Sequence, residues 1–272
     1  MVGNISDEEF TRFRNLIYDA SGINFTTSNR SILESRLRER LRTSGTENLA
    51  EYYRRIEREP EELKDLLDTV TTNLTRFFRN AAHMQAFEHA VLPDLIEYKR
   101  RTGGRTLRMW SAGCSTGEEP FTMAMVAGEL VPPGIKVSIV ASDISLKSLM
   151  VGRRGLYPEN RVDHVPEKYL NKYFTKKPSG YQVNPEIMDL VTFDYHNLKH
   201  DSGLRDLDIV FCRNVLIYFD ETAQRKTVER FWDAMGQYSY LFIGHSESLF
   251  GMNTKFEFYR TDWASLYRKK LV

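Results

Sequence analysis

Two hydrophobic periods follow one another along this chain, and the change from one to the other divides it. In the first ~70 residues apolar positions recur every three or four residues, the spacing of a helix face. Phe10, Phe13, Leu16 and Ile17 form one such stripe. The tetrapeptide "SDEE" from Ser6 to Glu9 precedes it as a capping box: Ser6 can accept from the amide three residues on, and Glu9 can reach back. "GINF" (Gly22–Phe25) breaks the stripe. A second helix is predicted from about Ser28 to Arg42, with Leu33, Leu37 and Leu41 four residues apart. "SGTE" (Ser44–Glu47) reads as another capping box. Pro60 suits the first turn of a fourth helix, where its missing N–H costs nothing. With no β-rich segment in between, a small helical bundle is expected over residues 1–72.

After about Asn73 the period changes. Thr106–Gly113, Lys136–Asp143, Asp189–Tyr195, Leu207–Arg213 and Tyr240–Ser246 each read as a strand. Several are nearly unbroken apolar runs, as in strands buried on both faces of a parallel sheet. Helical segments lie between them at Glu118–Leu130, Ser145–Val151 and Thr222–Met235. This alternation predicts a doubly wound α/β domain over residues 73–272. "KFEFYRT" and "ASLYRK" near the end look like an antiparallel edge hairpin. The 45 residues between Asp143 and Asp189 exceed what a crossover helix needs. A helix and a few short antiparallel strands are expected there, as an inserted subdomain at about 156–190.

Composition sharpens the class. Of 272 residues, 41% are hydrophobic and 28% charged, which argues against extensive disorder. The formal net charge of +1 removes a general affinity for nucleic acid and leaves local basic patches open. No run approaches the roughly 20 apolar residues of a membrane span. The first ten residues are acidic and lack a signal-peptide pattern, so a cytoplasmic protein without membrane insertion is expected. Cys114 and Cys212 are the two cysteines, too few for a four-thiolate zinc site. Each follows a predicted strand, where it could line a site or simply fill space as a small buried residue.

Ligands of open α/β sheets bind at the carboxyl ends of the strands. Those ends carry Gly113–Glu119, Asp143, Asn197–Leu198 and Cys212–Asn214. The turn Gly113–Gly117 lets a ligand approach the backbone closely. It lacks G-K-[ST] and a full G-x-G-x-x-G, so the common phosphate loops are excluded. Asp143 ends the second strand, where an acid accepts from ribose hydroxyls; it also suits a helix N-cap, and the two roles can coexist. Glu118 and Glu119 lie in a helix first turn, which favours carboxylates in any case. They would repel a pyrophosphate and attract a ligand that pairs a ribose with a cationic amine. S-adenosylmethionine fits that description.

"TTNLTRFFRN" (Thr71–Asn80), "WSAGCSTGEEP" (Trp110–Pro120), "ASDIS" (Ala141–Ser145), "FCRNVLIYFD" (Phe211–Asp220) and "GHSESL" (Gly244–Leu249) together resemble the CheR family of chemotaxis receptor glutamate O-methyltransferases. The motifs stand in family order and span almost the whole chain. The resemblance implies a class I methyltransferase sheet, S-adenosylmethionine as methyl donor, S-adenosylhomocysteine as product, no metal, and a monomer recruited to membrane receptor arrays. It places Asn73, Thr75 and Arg79 against the cofactor, with Arg79 also projecting into the reaction site. Glu119 would take the methionyl amine and Asp143 the ribose, while Asn197 and Leu198 would flank the adenine. Cys212, Arg213 and Asn214 would contact the cofactor, with Tyr218 near the transferred methyl. Phe77 and Phe78 have a plainer reading, as anchors of a linker.

A glutamate with a pKa of about 4.3 is ionised roughly 500-fold over its acid at pH 7, so transfer to it needs no general base. Receptor methylation helices in this family are acidic, which implies docking on the second helix through Arg36, Arg38, Arg40 and Arg42. A solvated helix face, interleaved with Glu34 and Glu39, is the alternative. The region "YFTKKPSGYQVN" is shorter than the glycine-containing loop that docks a receptor pentapeptide in part of the family, and resembles the pentapeptide-independent branch. Two rival functions stay open: another class I methyltransferase acting on a small molecule or nucleic acid, and a non-catalytic sensor of S-adenosylmethionine or another nucleotide. "RNVLIY" after the fourth strand departs from the N-P-P-Y of amino-directed nucleic-acid enzymes.

Overall fold

Four helices open the chain in a computed structural model that describes residues 5–71 and 74–271: α1 (Asp7–Ser21), α2 (Arg30–Ser44), α3 (Leu49–Arg58) and α4 (Pro60–Val70). The capping box of α1 forms, with Ser6 Oγ accepting from the Glu9 amide at 3.2 Å and the Glu9 carboxylate from the Ser6 amide at 2.9 Å. Gly22 then ends the helix in the left-handed region at φ 79°. The second box does not form. α2 runs on to Ser44 and is stopped by Gly45 at φ 69°, so Asn48 caps α3 instead and accepts from the Glu51 amide at 2.9 Å. Pro60 takes the first position of α4 as expected. Phe13, Leu33, Leu37, Tyr52 and Leu66 fill the bundle core.

Arg40 belongs to that core, which corrects its assignment to a docking face. It lies seven residues after Leu33, on the buried stripe, and is 6% exposed. Its guanidinium pairs with Glu62, with Asp65 at 3.1 Å and with the Tyr52 hydroxyl at 3.2 Å. An arginine buried and paired inside the bundle this way does not present its charge to a partner protein.

A second helical stretch, absent from the sequence reading, follows: α5 (Ala81–Ala86), a π turn over Phe87–Val91, and α6 (Leu92–Thr102). The chain then alternates through β1 (Thr106–Ala112), α7 (Glu118–Leu130), β2 (Lys136–Asp143) and α8 (Leu146–Arg154). The insertion comprises β3 (Leu156–Tyr157), α9 (Glu159–Val162), α10 (Glu167–Tyr173), β4 (Phe174–Lys177), β5 (Gly180–Val183) and α11 (Pro185–Met188). β6 (Val191–Tyr195), β7 (Leu207–Cys212), α12 (Glu221–Ala234), β8 (Met235–Ile243), β9 (Glu257–Arg260) and β10 (Ser265–Lys270) complete the fold.

Seven strands form one sheet in the order β6-β2-β1-β7-β8-β10-β9. The first five are parallel, and β10 runs antiparallel to both β8 and β9. This is the class I methyltransferase sheet with its C-terminal hairpin. β7 is buried at every position, which explains its unbroken apolar run. β8 begins at Met235, directly after α12 and five residues before the predicted start. β3, β5 and β4 make the small antiparallel sheet expected in the insertion. The chain leaves β1 toward β2 and returns as β7 on the other side, so a crevice opens between the carboxyl ends of β1 and β7.

Candidate active site

The crevice is a cavity walled by the loops after β1, β2, β6 and β7, by residues 74–79, and by part of the helical bundle. Its floor is the turn after β1. Gly113 adopts φ 82°, Ser115 49° and Gly117 96°, so the turn needs small residues at three positions. The amides of Gly113 and Cys114 both donate to Ser142 O, at 2.8 and 2.9 Å. A Cβ on Gly113 would lie 2.5 Å from Cγ2 of Val215, because the loop after β7 leans directly on this turn.

Asp143 is 8% exposed, and its carboxylate accepts from the amides of Ser115 at 2.8 Å and Ser145 at 2.9 Å. Burial raises its carboxyl above the ordinary aspartate range, against the pull of these hydrogen bonds. Ser145, not Asp143, caps α8. Asp143 therefore braces the β1 turn and keeps part of its acceptor capacity for the cavity it lines.

The adjacent acids of α7 differ sharply. Glu118 is fully buried and points away from the cavity, held by Arg161 and by Thr116 Oγ1 at 2.7 Å. It ties the β1 turn to the insertion, a role beyond stabilising its helix. Glu119 lines the cavity. One carboxylate oxygen accepts from Ser111 Oγ at 2.8 Å and the other faces Arg213 Nη1 at 3.3 Å. Burial pushes Glu119 up, while Arg213 and Ser111 oppose the shift. Arg213 also donates to Arg79 O, and its Nε is buried without a partner.

Arg79 sits between Phe78 at φ 51° and Asn80 at φ 64°. Two consecutive-but-one non-glycine residues in the left-handed region cost on the order of 1 kcal/mol each, and that cost is met by anchoring. Phe77 is fully buried between Tyr157 and Phe174, with ring centroids at 5.0 and 5.4 Å. Phe78 packs on Tyr169, and its amide donates to Thr122 Oγ1 at 3.1 Å. The turn so fixed presents Arg79 to the cavity, where Nη1 donates to Leu74 O at 2.8 Å.

Thr75, Arg79, Glu119, Asp143, Asn197, Leu198, Arg213, Asn214 and Tyr218 thus share one cavity. Asn73 falls outside the described residues. Cys212 does not line the cavity: as the last residue of β7 it is fully buried in the core, where desolvation keeps its thiol far from ionisation. Arg36, Arg38 and Arg42 lie on α2, outside the cavity lining. The bundle's share of the wall had no sequence signal. Ser21, Ile23, Asn24, Phe25, Asn29 and Ile32 line the cavity. Ile23 pairs antiparallel with Phe219, and the Asn24 amide donates to Tyr218 O at 2.8 Å. Asn197 Nδ2 donates back to Ala20 O at 2.6 Å.

Comparison with known proteins decides what this site belongs to. Residues 73–265 match the family model "CheR methyltransferase, SAM binding domain", and residues 8–71 match "CheR methyltransferase, all-alpha domain". The chain belongs to the CheR methyltransferase family. It is 36% identical to a chemotaxis protein methyltransferase of Borreliella burgdorferi, over 91% of this chain and 90% of that one. A chemotaxis protein methyltransferase 2 of Vibrio cholerae is 33% identical, over 97% and 94% of the two chains. The chemotaxis protein methyltransferase of Escherichia coli is also 33% identical, over 93% and 88%. This CheR chain is accordingly an S-adenosylmethionine-dependent methyltransferase of chemotaxis.

Proposed function

We propose that this CheR methyltransferase esterifies glutamate side chains on the cytoplasmic helices of chemotaxis receptors, leaving S-adenosylhomocysteine. The observation that carries the reading is the meeting in one cavity of two carboxylates, the buried Asp143 and the partly buried Glu119, with Arg79 and Tyr218. Burial holds both carboxyls above their ordinary range. A ligand that brings an amine to Glu119 and two hydroxyls to Asp143 offsets that cost, whereas a phosphate beside Glu119 would add to it. Bound there, S-adenosylmethionine supplies a methyl group activated by its sulfonium.

The chain's own residues do the rest. Asn197 and Leu198 flank the adenine, and Thr75, Arg213 and Asn214 close around the cofactor. Arg79 grips one oxygen of the acceptor carboxylate with donors not used on Leu74 O, leaving the other oxygen free to attack. Tyr218 holds that carboxylate or sets its ring against the sulfonium. The protein aligns oxygen, methyl and sulfur and excludes water, and no proton has to be removed.

Residues 1–72 serve as the receptor-docking domain and 73–272 as the catalytic domain. Arg42 is exposed, and Arg36 and Arg38 hold only long pairs of 3.5 Å to Glu39 and Glu34, so all three can turn to an acidic helical partner. β4 and β5 join through Pro178 and Ser179 alone, which supports methylation without a receptor pentapeptide. The enzyme acts as a cytoplasmic monomer recruited to receptor arrays. The test is transfer of a radiolabelled methyl group to receptor-containing membranes. Label released as methanol by mild base, equally from receptors with and without the pentapeptide, is expected. Base-stable label, or label on nucleic acid or a small molecule instead, overturns the receptor-glutamate reading.

A further inference from the structure

The motif "GHSESL" enters none of the roles above, yet its glutamate is built into the loop that carries Asn214 and Tyr218. Gly244 and Glu247 close a turn after β8, with the Glu247 amide donating to Gly244 O at 2.9 Å. The Glu247 side chain then folds back. One carboxylate oxygen accepts from the amides of Gly244 and of Asn214, the latter at 3.0 Å. The other accepts from the Ile217 amide at 3.2 Å. Three main-chain donors therefore converge on one half-buried carboxylate, and two of them lie in the loop after β7.

Both contact points matter for the cavity. Asn214 lines it and holds φ 60°, a left-handed conformation that a non-glycine residue keeps only when its surroundings enforce it. Ile217 is the middle residue of the 3-10 turn Leu216–Tyr218, so its amide fixes the residue immediately before Tyr218. Gly244 is the matching half of the device. A Cβ there would lie 2.6 Å from Glu247 Oε2 and 2.9 Å from the Asn214 amide nitrogen. Only a glycine leaves room for the carboxylate to reach Asn214.

We infer that Glu247 is a positioning residue: its carboxylate clamps the Asn214–Ile217 backbone and so sets where Asn214 and Tyr218 stand in the cavity. The inference rests on the methyl-transfer reading for Tyr218 and on geometry alone for Asn214. Removing the clamp frees the loop at both ends, while the sheet and helix cores stay in place.

The experiment compares Glu247→Ala and Glu247→Gln with the wild-type chain in receptor methylation and in S-adenosylhomocysteine binding by calorimetry. Glu247→Ala is expected to lower turnover about 30-fold and to weaken S-adenosylhomocysteine about fivefold; Glu247→Gln, which keeps one acceptor, should fall between. Gly244→Ala should reproduce the loss with Glu247 intact. In a double-mutant cycle, Tyr218→Phe should cost several-fold less in the Glu247→Ala background than in wild type. A merely stabilising glutamate would move the melting temperature and leave the two losses additive. Folded Glu247→Ala with turnover and affinity within twofold of wild type, or an additive cycle, overturns the inference; where Glu247→Ala does not fold, Glu247→Gln at wild-type turnover and affinity does the same. If the wild type transfers no methyl to receptors, the functional reading alone falls, and the S-adenosylhomocysteine measurement still decides whether Glu247 sets Asn214.

Discussion

The loops after β1 and after β7 meet at the cavity, and they are built in opposite ways. The β1 loop takes its path from its own small residues, with Thr116 and Glu118 tying it to Arg161. Its small residues take three left-handed conformations within five positions, and its amides bond to Ser142 and Asp143 at the end of the neighbouring strand. The β7 loop contains no glycine and is held from outside. Glu247 takes two of its amides, Glu119 pairs with Arg213, and the Asn24 amide bonds to Tyr218 O. The proposed cofactor side of this CheR site is thus shaped by small residues in left-handed conformations and braced by the neighbouring strand and the insertion. The β7 loop, which carries Tyr218 on the proposed acceptor side, is an assembly whose parts lie far apart in the chain, one of them in the helical bundle proposed to meet the receptor.

The largest expected effect tests that division from the acceptor side. Arg79→Ala should lower turnover on the order of 10²–10³-fold, the usual loss for a group that orients a reacting oxyanion. Its affinity for S-adenosylhomocysteine should stay within about threefold. Equal losses in both would make Arg79 a cofactor residue and erase the distinction between the two sides. Next in size is the converse. Asp143→Ala should weaken S-adenosylhomocysteine about 100-fold, since it removes two charge-assisted hydrogen bonds worth ~1.5 kcal/mol or more each. It should also lower the melting temperature, because the Ser115 and Ser145 amides lose their acceptor. Binding within fivefold of wild type would show that the ribose is held elsewhere.

That contrast also explains what was legible in the sequence. The small-residue turn and the acid ending the next strand are local patterns, and both were placed correctly, as were the bounds of β2 and α7. The bundle's part in the cavity wall was not legible. "GINF" reads only as a helix break, and its pairing with Phe219 spans nearly two hundred residues. Glu118 looked like a helix-dipole carboxylate because its partner, Arg161, lies in the insertion. Two further features have a pattern in the sequence. Arg40 stands at heptad spacing from Leu33, which marks a buried position whatever its charge. Met84, Phe87, Val91, Leu92 and Leu95 keep helical spacing between a cap at Asn80 and a stop at Gly103, although the π turn shifts the phase midway.

Farther from the chemistry the effects shrink. Charge reversal at Arg38 and Arg42 together should lower kcat/KM for receptor about tenfold at low salt, and less as ionic strength rises. Cofactor binding should not change. A loss that persists at high salt would mean that packing, not charge, docks the receptor, and would tie the bundle more closely to the β7 loop than ion pairing does.

The smallest expected effect separates the two sides once more, through pH. In the loaded enzyme, turnover should vary by no more than about twofold from pH 6 to 8, because the acceptor glutamate is already ionised and no proton is removed in the step. Cofactor capture should behave differently. Glu119 and Asp143 have carboxyls raised by burial in the free enzyme, and binding an amine and hydroxyl donors requires both ionised. Affinity is therefore complete above their raised values and is lost as pH falls through them, so kcat/KM for S-adenosylmethionine should decline on the acid side while kcat holds. With cofactor in place, the amine beside Glu119 draws its carboxyl back down, which keeps the bound enzyme competent at pH values where the free enzyme begins to lose affinity. A single group near pH 7 controlling kcat would mean that the site carries a base after all, and His196, which lines the cavity, is the imidazole that would have to act.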